Sequence, residues 1–229
     1  IFVNPVVHGG YDFHALVGNH DIPYRNSNDI NAMNELFDTY SIYIYSEPKD
    51  IKFDDVSITM MPWINSSNYH TCINHINNTN SQILFGHLEL NGFEMHMGMK
   101  NHEGMDTEPF EKFDMVCSGH FHHKSSDGGI HYLGAPYEMT WHNYNDRHGF
   151  HIFDSEKRDL TFVQNPYRIF NKIWYDDSDV SSYEDMMKKY SFDEYRDTYV
   201  KVIVQHKNNP YWFDMVLDSL YTVNPANVS

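Results

Sequence analysis

The chain has 229 residues, 41% of them hydrophobic and 16% aromatic, which suits one large domain, or one plus a small one, and excludes a disordered chain. Lys and Arg number 16 against 32 Asp and Glu, a formal net charge of −16. That balance argues against a protein that coats nucleic acid through basic side chains, but not against an enzyme that grips phosphate through bound divalent cations.

No apolar run approaches the roughly 20 residues of a membrane span. Cys72 and Cys117 allow at most one disulfide. Cys117 sits in an apolar strand and reads as a buried, reduced thiol, which points to an intracellular compartment. The chain opens on Ile1 rather than Met, so its true start is expected upstream.

Residues 13–17 read as a strand that ends in Gly18-Asn19-His20-Asp21. Ser27 or Asn28 can cap a helix with Met33, Leu36, Phe37 and Tyr40 at helical spacing, a stripe expected to be core. Residues 41–45 and 56–60 read as strands, with Pro62-Trp63 ending the second, and residues 67–77 as a polar, Asn-rich helix. Strands at 83–85 and 115–118 end in Gly86-His87 and Gly119-His120-Phe121-His122, separated by a loop containing Gly92, Gly98 and Gly104. Short strands at 130–133, 149–153 and 160–163 are expected to form an antiparallel series.

After Asn165-Pro166 the pattern changes. Ser181 or Ser182 starts a short helix, and residues 199–205 alternate as a strand with Val200, Val202 and Val204 on one face. Asn209-Pro210 opens a helix with Pro at its first position and an apolar stripe of Trp212, Met215, Val216 and Leu220. Two domains are therefore expected, residues 1–166 and 167–229, the second a small α+β unit.

Ligands of open α/β sheets gather beyond the carboxyl ends of the strands, where Asn19, His87, His120 and His122 all fall. An amide oxygen with imidazoles suits Mn, Fe, Zn or Ni better than Mg or Ca. In Gly119-His120-Phe121-His122 the two His can share a face or straddle two metals about 3.5–4 Å apart. A Gly before each ligand is expected to supply an unusual backbone conformation. The chain is His-rich, yet chance would produce only about 0.06 Gly-His-x-His matches, so the constellation reads as a metal or catalytic site and the remaining His as ordinary.

These motifs resemble those of the calcineurin-like metallophosphoesterases: Gly-Asn-His-(Asp/Glu), Gly-His and Gly-His-x-His. Gly86-His87-Leu88-Glu89-Leu90-Asn91-Gly92-Phe93, Gly98-Met99-Lys100, Tyr132-Leu133-Gly134-Ala135-Pro136-Tyr137 and Gly149-Phe150 are similar to one branch of that family. It contains the nuclease subunit of the T-even-type phage recombination complex, bacterial SbcD and the eukaryotic meiotic-recombination nuclease. The resemblance implies a four-layer α/β/β/α sandwich, N-terminally incomplete, followed by a small capping domain that binds DNA.

It also implies two divalent metals, Mn foremost with Mg, Fe or Zn as alternatives. Asn19, His87 and His120 would bind one metal and His122 the other. His20 would protonate the leaving oxygen or stabilise the charged transition state, with Asp21 holding its imidazole, and Lys100 would contact phosphate. The implied partners are DNA, an ABC-type (SMC-like) ATPase with coiled coils and a second copy of the chain. No membrane is involved, and the setting is cytoplasmic, the host cytoplasm if phage-encoded.

The chain departs from this pattern upstream. The family's first two motifs, Asp-x-His and Gly-Asp-x-x-Asp, precede Gly-Asn-His-Asp, yet only 17 residues precede Gly18. Asp12-Phe13-His14 mimics the first motif but lies on the strand leading into Asn19. Seven residues of strand span about 23 Å, so Asp12 cannot turn back to the cluster, and His14 reads as a packing residue. An Asp, a His and the bridging Asp are thus missing, and the chain as written is expected to be inactive. It reads as part of an active nuclease in recombination and end processing. The alternatives are a degenerate, non-catalytic scaffold and a metallophosphoesterase of small phosphodiesters or phosphoproteins.

Overall fold

The computed structural model describes residues 3–37 and 42–229. Two compact units emerge, Ile1–Ala135 with Arg147–Gln164, and Pro136–Asp146 with Asn165–Ser229.

In chain order the first unit contains α1 (Val3–His8), β1 (His14–Leu16), α2 (Ala32–Phe37), β2 (Tyr43–Tyr45), β3 (Lys49–Phe53) and β4 (Val56–Met61). There follow α3 (Tyr69–Asn78), β5 (Ile83–Gly86), β6 (Glu94–His96), β7 (Met99–Lys100), β8 (Met115–Ser118), β9 (Ser125–Asp127) and β10 (Ile130–Tyr132). Two later strands, β11 (Gly149–Asp154) and β12 (Asp159–Gln164), complete it. The central sheet has six strands in the order β3-β4-β5-β8-β10-β9. Its core strands β4, β5, β8 and β10 run parallel, and β3 and β9 flank them antiparallel.

Both faces of this sheet are covered, which is why β4, β5 and β8 read as nearly unbroken apolar runs rather than alternating ones. On one face Met61, Leu84 and Val116 pack with Cys72 and Ile76 of α3, with Phe110 and with Phe121. On the other, Ile58, Met60 and Ile83 meet Tyr45, Leu16 and Phe153. Cys72 and Cys117 are both free and buried, and burial pushes each thiol up to about 12, so neither ionises at neutral pH.

Several expectations are corrected. β10 does not join an antiparallel series with β11 and β12. It pairs parallel to β8 (Ile130↔Val116) and antiparallel to β9, while β11 and β12 form their own hairpin. The helix expected from Ser27 or Asn28 begins only at Ala32, because Asn28 turns its side chain elsewhere, donating to the carbonyls of Ser46 and Trp63. Asn31 Oδ1 instead accepts from Asn34 N–H. No residue of α2 is buried and Leu36 is 68% exposed, so the stripe is not core. Its expected member Tyr40 lies outside the described residues.

The second unit contains β13 (Phe170–Asp176), α4 (Tyr183–Met187), β14 (Tyr199–His206), α5 (Pro210–Thr222) and β15 (Asn227–Val228). Its three strands run parallel in the order β13-β14-β15. Leu220 of α5 packs with Ile173 and Val200, and Val216 with Tyr175 and Met186. Ser182 accepts from Asp185 N–H, and Asn209 accepts from Tyr211 and Trp212 N–H just before Pro210, the N-caps that the sequence announces. Residues 136–146 belong here because buried Glu138 accepts from the N–H groups of Ile169 and Phe170 at 2.7 and 2.8 Å. Among the described residues no helix is long and apolar enough to cross a membrane.

Candidate functional site

The parallel register brings the informative loops to one edge. Met61 pairs with Gly86 and Gly86 with Ser118, so β4, β5 and β8 end side by side. Backbone hydrogen bonds continue past the strand ends: His87 N–H donates to Met61 O at 3.1 Å and Gly119 N–H to Gly86 O at 3.0 Å. The Gly18 loop joins this row because Trp63 N–H donates to Val17 O at 2.8 Å and Val17 N–H to Tyr45 O at 3.0 Å. Main-chain geometry alone therefore aligns residues 18–21, 62–63, 86–87 and 119–120.

Asn19 Oδ1 lies 2.9 Å from His87 Nε2 and 3.3 Å from His120 Nδ1, and the two rings meet edge to face with centroids 5.3 Å apart. The glycines make room for this. A Cβ on Gly18 would sit 2.9–3.1 Å from the His87 ring, one on Gly119 3.3 Å from His87 Nδ1, and one on Gly86 2.9 Å from the Leu88 side chain. None of these three glycines has a positive φ. The left-handed residue is His120 itself, at φ 80°. The expectation of unusual glycine conformations is thus corrected: the glycines permit close approach, and the backbone strain sits on a candidate ligand, as it often does at functional sites.

The electrostatics follow from burial. Desolvation, then the neighbouring His120 and His20, pushes His87 down to about 4. Desolvation, then His20 and His122, does the same to His120. Both imidazoles are therefore neutral at pH 7 and carry free lone pairs, the form in which His binds a cation. Glu89 Oε2 stands 3.8 Å from His120 Nε2. That is too long for a hydrogen bond, and with His120 neutral it is a polar contact rather than an ion pair.

The other candidates are placed differently. His20 is exposed, at the rim of the cluster. Asp21 turns its carboxylate to the loop backbone, accepting from Gly18 N–H at 2.7 Å, and forms no hydrogen bond to His20 among the described residues. His122 lies beside His96, ring centroids 6.4 Å apart, and its charge acts on His120. Lys100 is exposed on the β6–β7 hairpin, in register with Glu94. His14 is a packing residue: it stacks on Tyr43 with centroids 4.6 Å apart, and its Nδ1 is 2.7 Å from the Tyr45 hydroxyl.

Among the described residues no three His, Cys, Asp or Glu side chains are grouped to hold a metal ion. The set that does converge includes the Asn19 amide oxygen, and one oxygen with two neutral imidazoles is a donor set that borderline divalent cations accept. These residues fit part of a metal site. Sequence reading passed over Trp63, treated only as a strand terminator. Its ring is tilted over His120 at 5.1 Å and meets His87 edge-on at 6.1 Å. An aromatic directly after Pro at a strand end, level with the other loops, was the available signal.

No protein-family model matches the chain. It is similar to exonuclease subunit 1 of Enterobacteria phage T4, with 35% identity over 167 residues, covering 72% of this chain and 49% of that protein. The chain thus spans about half the length of the curated relative that it matches.

Proposed function

We propose that this chain, similar to a phage protein named as an exonuclease subunit, is part of a metal-dependent DNA nuclease, and that its strand-end loops carry a share of a phosphodiesterase site. The observation that carries the reading is the meeting of Asn19, His87 and His120 around one amide oxygen. Supporting it, the cluster lies at the carboxyl edge of parallel strands, where open α/β sheets bind their ligands. The relative's name as an exonuclease subunit favours a nucleic acid over small phosphodiesters or phosphoproteins.

In this reading Asn19, His87 and His120 hold one divalent metal, Mn foremost, and His122 contributes to a second. Bound metal would lower the pKa of a water to give a nucleophile and offset the charge on phosphate. His20, exposed at the rim, delivers a proton to the leaving oxygen. Asp21 fixes the turn that presents His20, through Gly18 N–H, and Lys100 offers a phosphate contact. The first unit is read as a four-layer sandwich and the second as a DNA-binding domain. A coiled-coil ABC-type ATPase and a second copy of the chain complete the assembly, at work in recombination in the host cytoplasm.

No residues at matching positions supply an Asp-x-His or Gly-Asp-x-x-Asp motif, so the 229-residue chain by itself cleaves little. A cleavage assay on linear DNA with Mn²⁺ tests this. Whatever cleavage occurs is expected to need Mn²⁺ and to fall roughly 10²–10⁴-fold in His20→Ala. Cleavage that survives both chelation and His20→Ala contradicts the assignment.

A further inference from the structure

Beside the Asn19–His87–His120 cluster lies a cavity of about 390 Å³ whose lining includes Asn19, His20, Ile22, Arg25, Trp63 and Glu89. Its volume is that of a site for one small molecule, and it opens next to the candidate metal ligands because Asn19 and His20 line it.

Trp63 supplies the aromatic wall, and it is well anchored. Its N–H donates to Val17 O at 2.8 Å, and its carbonyl accepts from Asn28 Nδ2 at 2.9 Å and from Asn68 Nδ2 at 3.0 Å. Its ring leans on that of His120, 35° from parallel. With its main chain anchored and its ring against those of His120 and His87, this indole offers a stacking surface on which a base can land.

Arg25 supplies the charge. Among the described residues it makes no hydrogen bond or ion pair, although acidic residues outnumber basic ones 32 to 16 in this chain. A guanidinium left over on a cavity wall matches the paired oxygens of a phosphate. Glu89, the other charged lining residue, repels phosphate, so of the two only Arg25 can receive it.

We propose that this cavity is the subsite for the nucleoside adjoining the reacting phosphodiester, with Trp63 stacking on its base and Arg25 gripping the next phosphate along the strand. The proposal rests on the phosphodiesterase reading above. A space of this size takes one nucleoside and not a base pair, so the strand must be unpaired there. The substrate is then a single strand, an overhang or a frayed end rather than intact duplex.

The test is anisotropy of a fluorescein-labelled single-stranded 12-mer and of its blunt duplex, titrated with the chain in EDTA so that nothing is cut, alongside calorimetry of Mn²⁺ binding. Trp63→Ala is expected to weaken single-strand binding by roughly 5- to 150-fold, with Trp63→Phe retaining most of it and duplex binding little changed. Arg25→Ala is expected to reduce the slope of log affinity against log salt by about 0.7. If Trp63→Ala fails to fold by circular dichroism, Arg25→Ala decides, and an unchanged salt slope overturns the proposal. Unchanged single-strand affinity in both variants, or no oligonucleotide binding by a chain that binds Mn²⁺, overturns the subsite alone. A chain that binds neither overturns the phosphodiesterase reading as well.

Discussion

His87 Nε2 lies 2.9 Å from Asn19 Oδ1, a contact between residues 68 positions apart in sequence. No local structure could create it. It exists because β4 and β5 run parallel in register and because Trp63 N–H hooks the end of the Gly18 strand onto the end of β4.

Gly18→Ala places a Cβ 2.9 Å from the His87 ring, whereas Gly119→Ala meets the same ring only at 3.3 Å. Overpacking of this kind costs typically about 1–3 kcal/mol. Gly18→Ala is expected near the upper end and Gly119→Ala near or below the lower end, read as shifts in urea midpoint. A reversed order contradicts the account of why these positions are glycine.

His20→Ala and Asp21→Ala should separate presentation from structure. His20 is exposed, and such substitutions usually change stability by less than about 0.5 kcal/mol. Asp21→Ala removes the acceptor for Gly18 N–H, a charge-assisted bond worth about 1.5–3 kcal/mol. Thermal melts of the two variants check this, and equal destabilisation would show that Asp21 does not hold the loop.

The ordering of these loops was largely legible in the sequence. An apolar run ending in Gly-His or Gly-Asn-His marks a strand and its exit, so the meeting of Asn19, His87 and His120 follows from three strand ends. What could not be read was anything decided at long range. Asn28 looked like a helix cap, but its amide is engaged by Ser46 and Trp63 carbonyls. The three residues of β10 carry no signal of which strand they join, and their parallel pairing with β8 is set by the fold. The strain at His120 was invisible for the same reason, because the rule that assigns left-handed conformations to glycine looks at the wrong residue here.

Stability should depend on pH through His87 and His120. Both are pushed down to about 4 in the folded chain, while an unfolded His titrates near 6.5. Between these values the unfolded chain binds more protons, so their contribution is fully present above about pH 6.5 and is lost as pH falls toward 4. Urea midpoints at pH 7.5 and pH 5 are expected to differ more for the wild type than for His87→Gln. Equal differences would mean that His87 is not held neutral by burial.

Glu138 ties residues 136–146 to β13 by accepting two backbone N–H bonds on one oxygen. Glu138→Ala orphans both donors and is expected to cost about 2–3 kcal/mol, whereas Glu138→Gln retains an acceptor oxygen and costs about 1 kcal/mol. Hydrogen exchange at Ile169 and Phe170 reads this directly, with fast exchange expected in the Ala variant and protection largely kept in the Gln variant. Equal protection in both would show that the carboxylate is not their acceptor.

The central claim is that Asn19, His87 and His120 act together as metal ligands, and Mn²⁺ titration calorimetry of the 229-residue chain against His120→Ala tests it most directly. The account predicts weak but measurable binding in the wild type near pH 7.5, lost in His120→Ala and fading in the wild type as pH falls toward 4, where the imidazoles protonate. Identical heats from wild type and His120→Ala would contradict it.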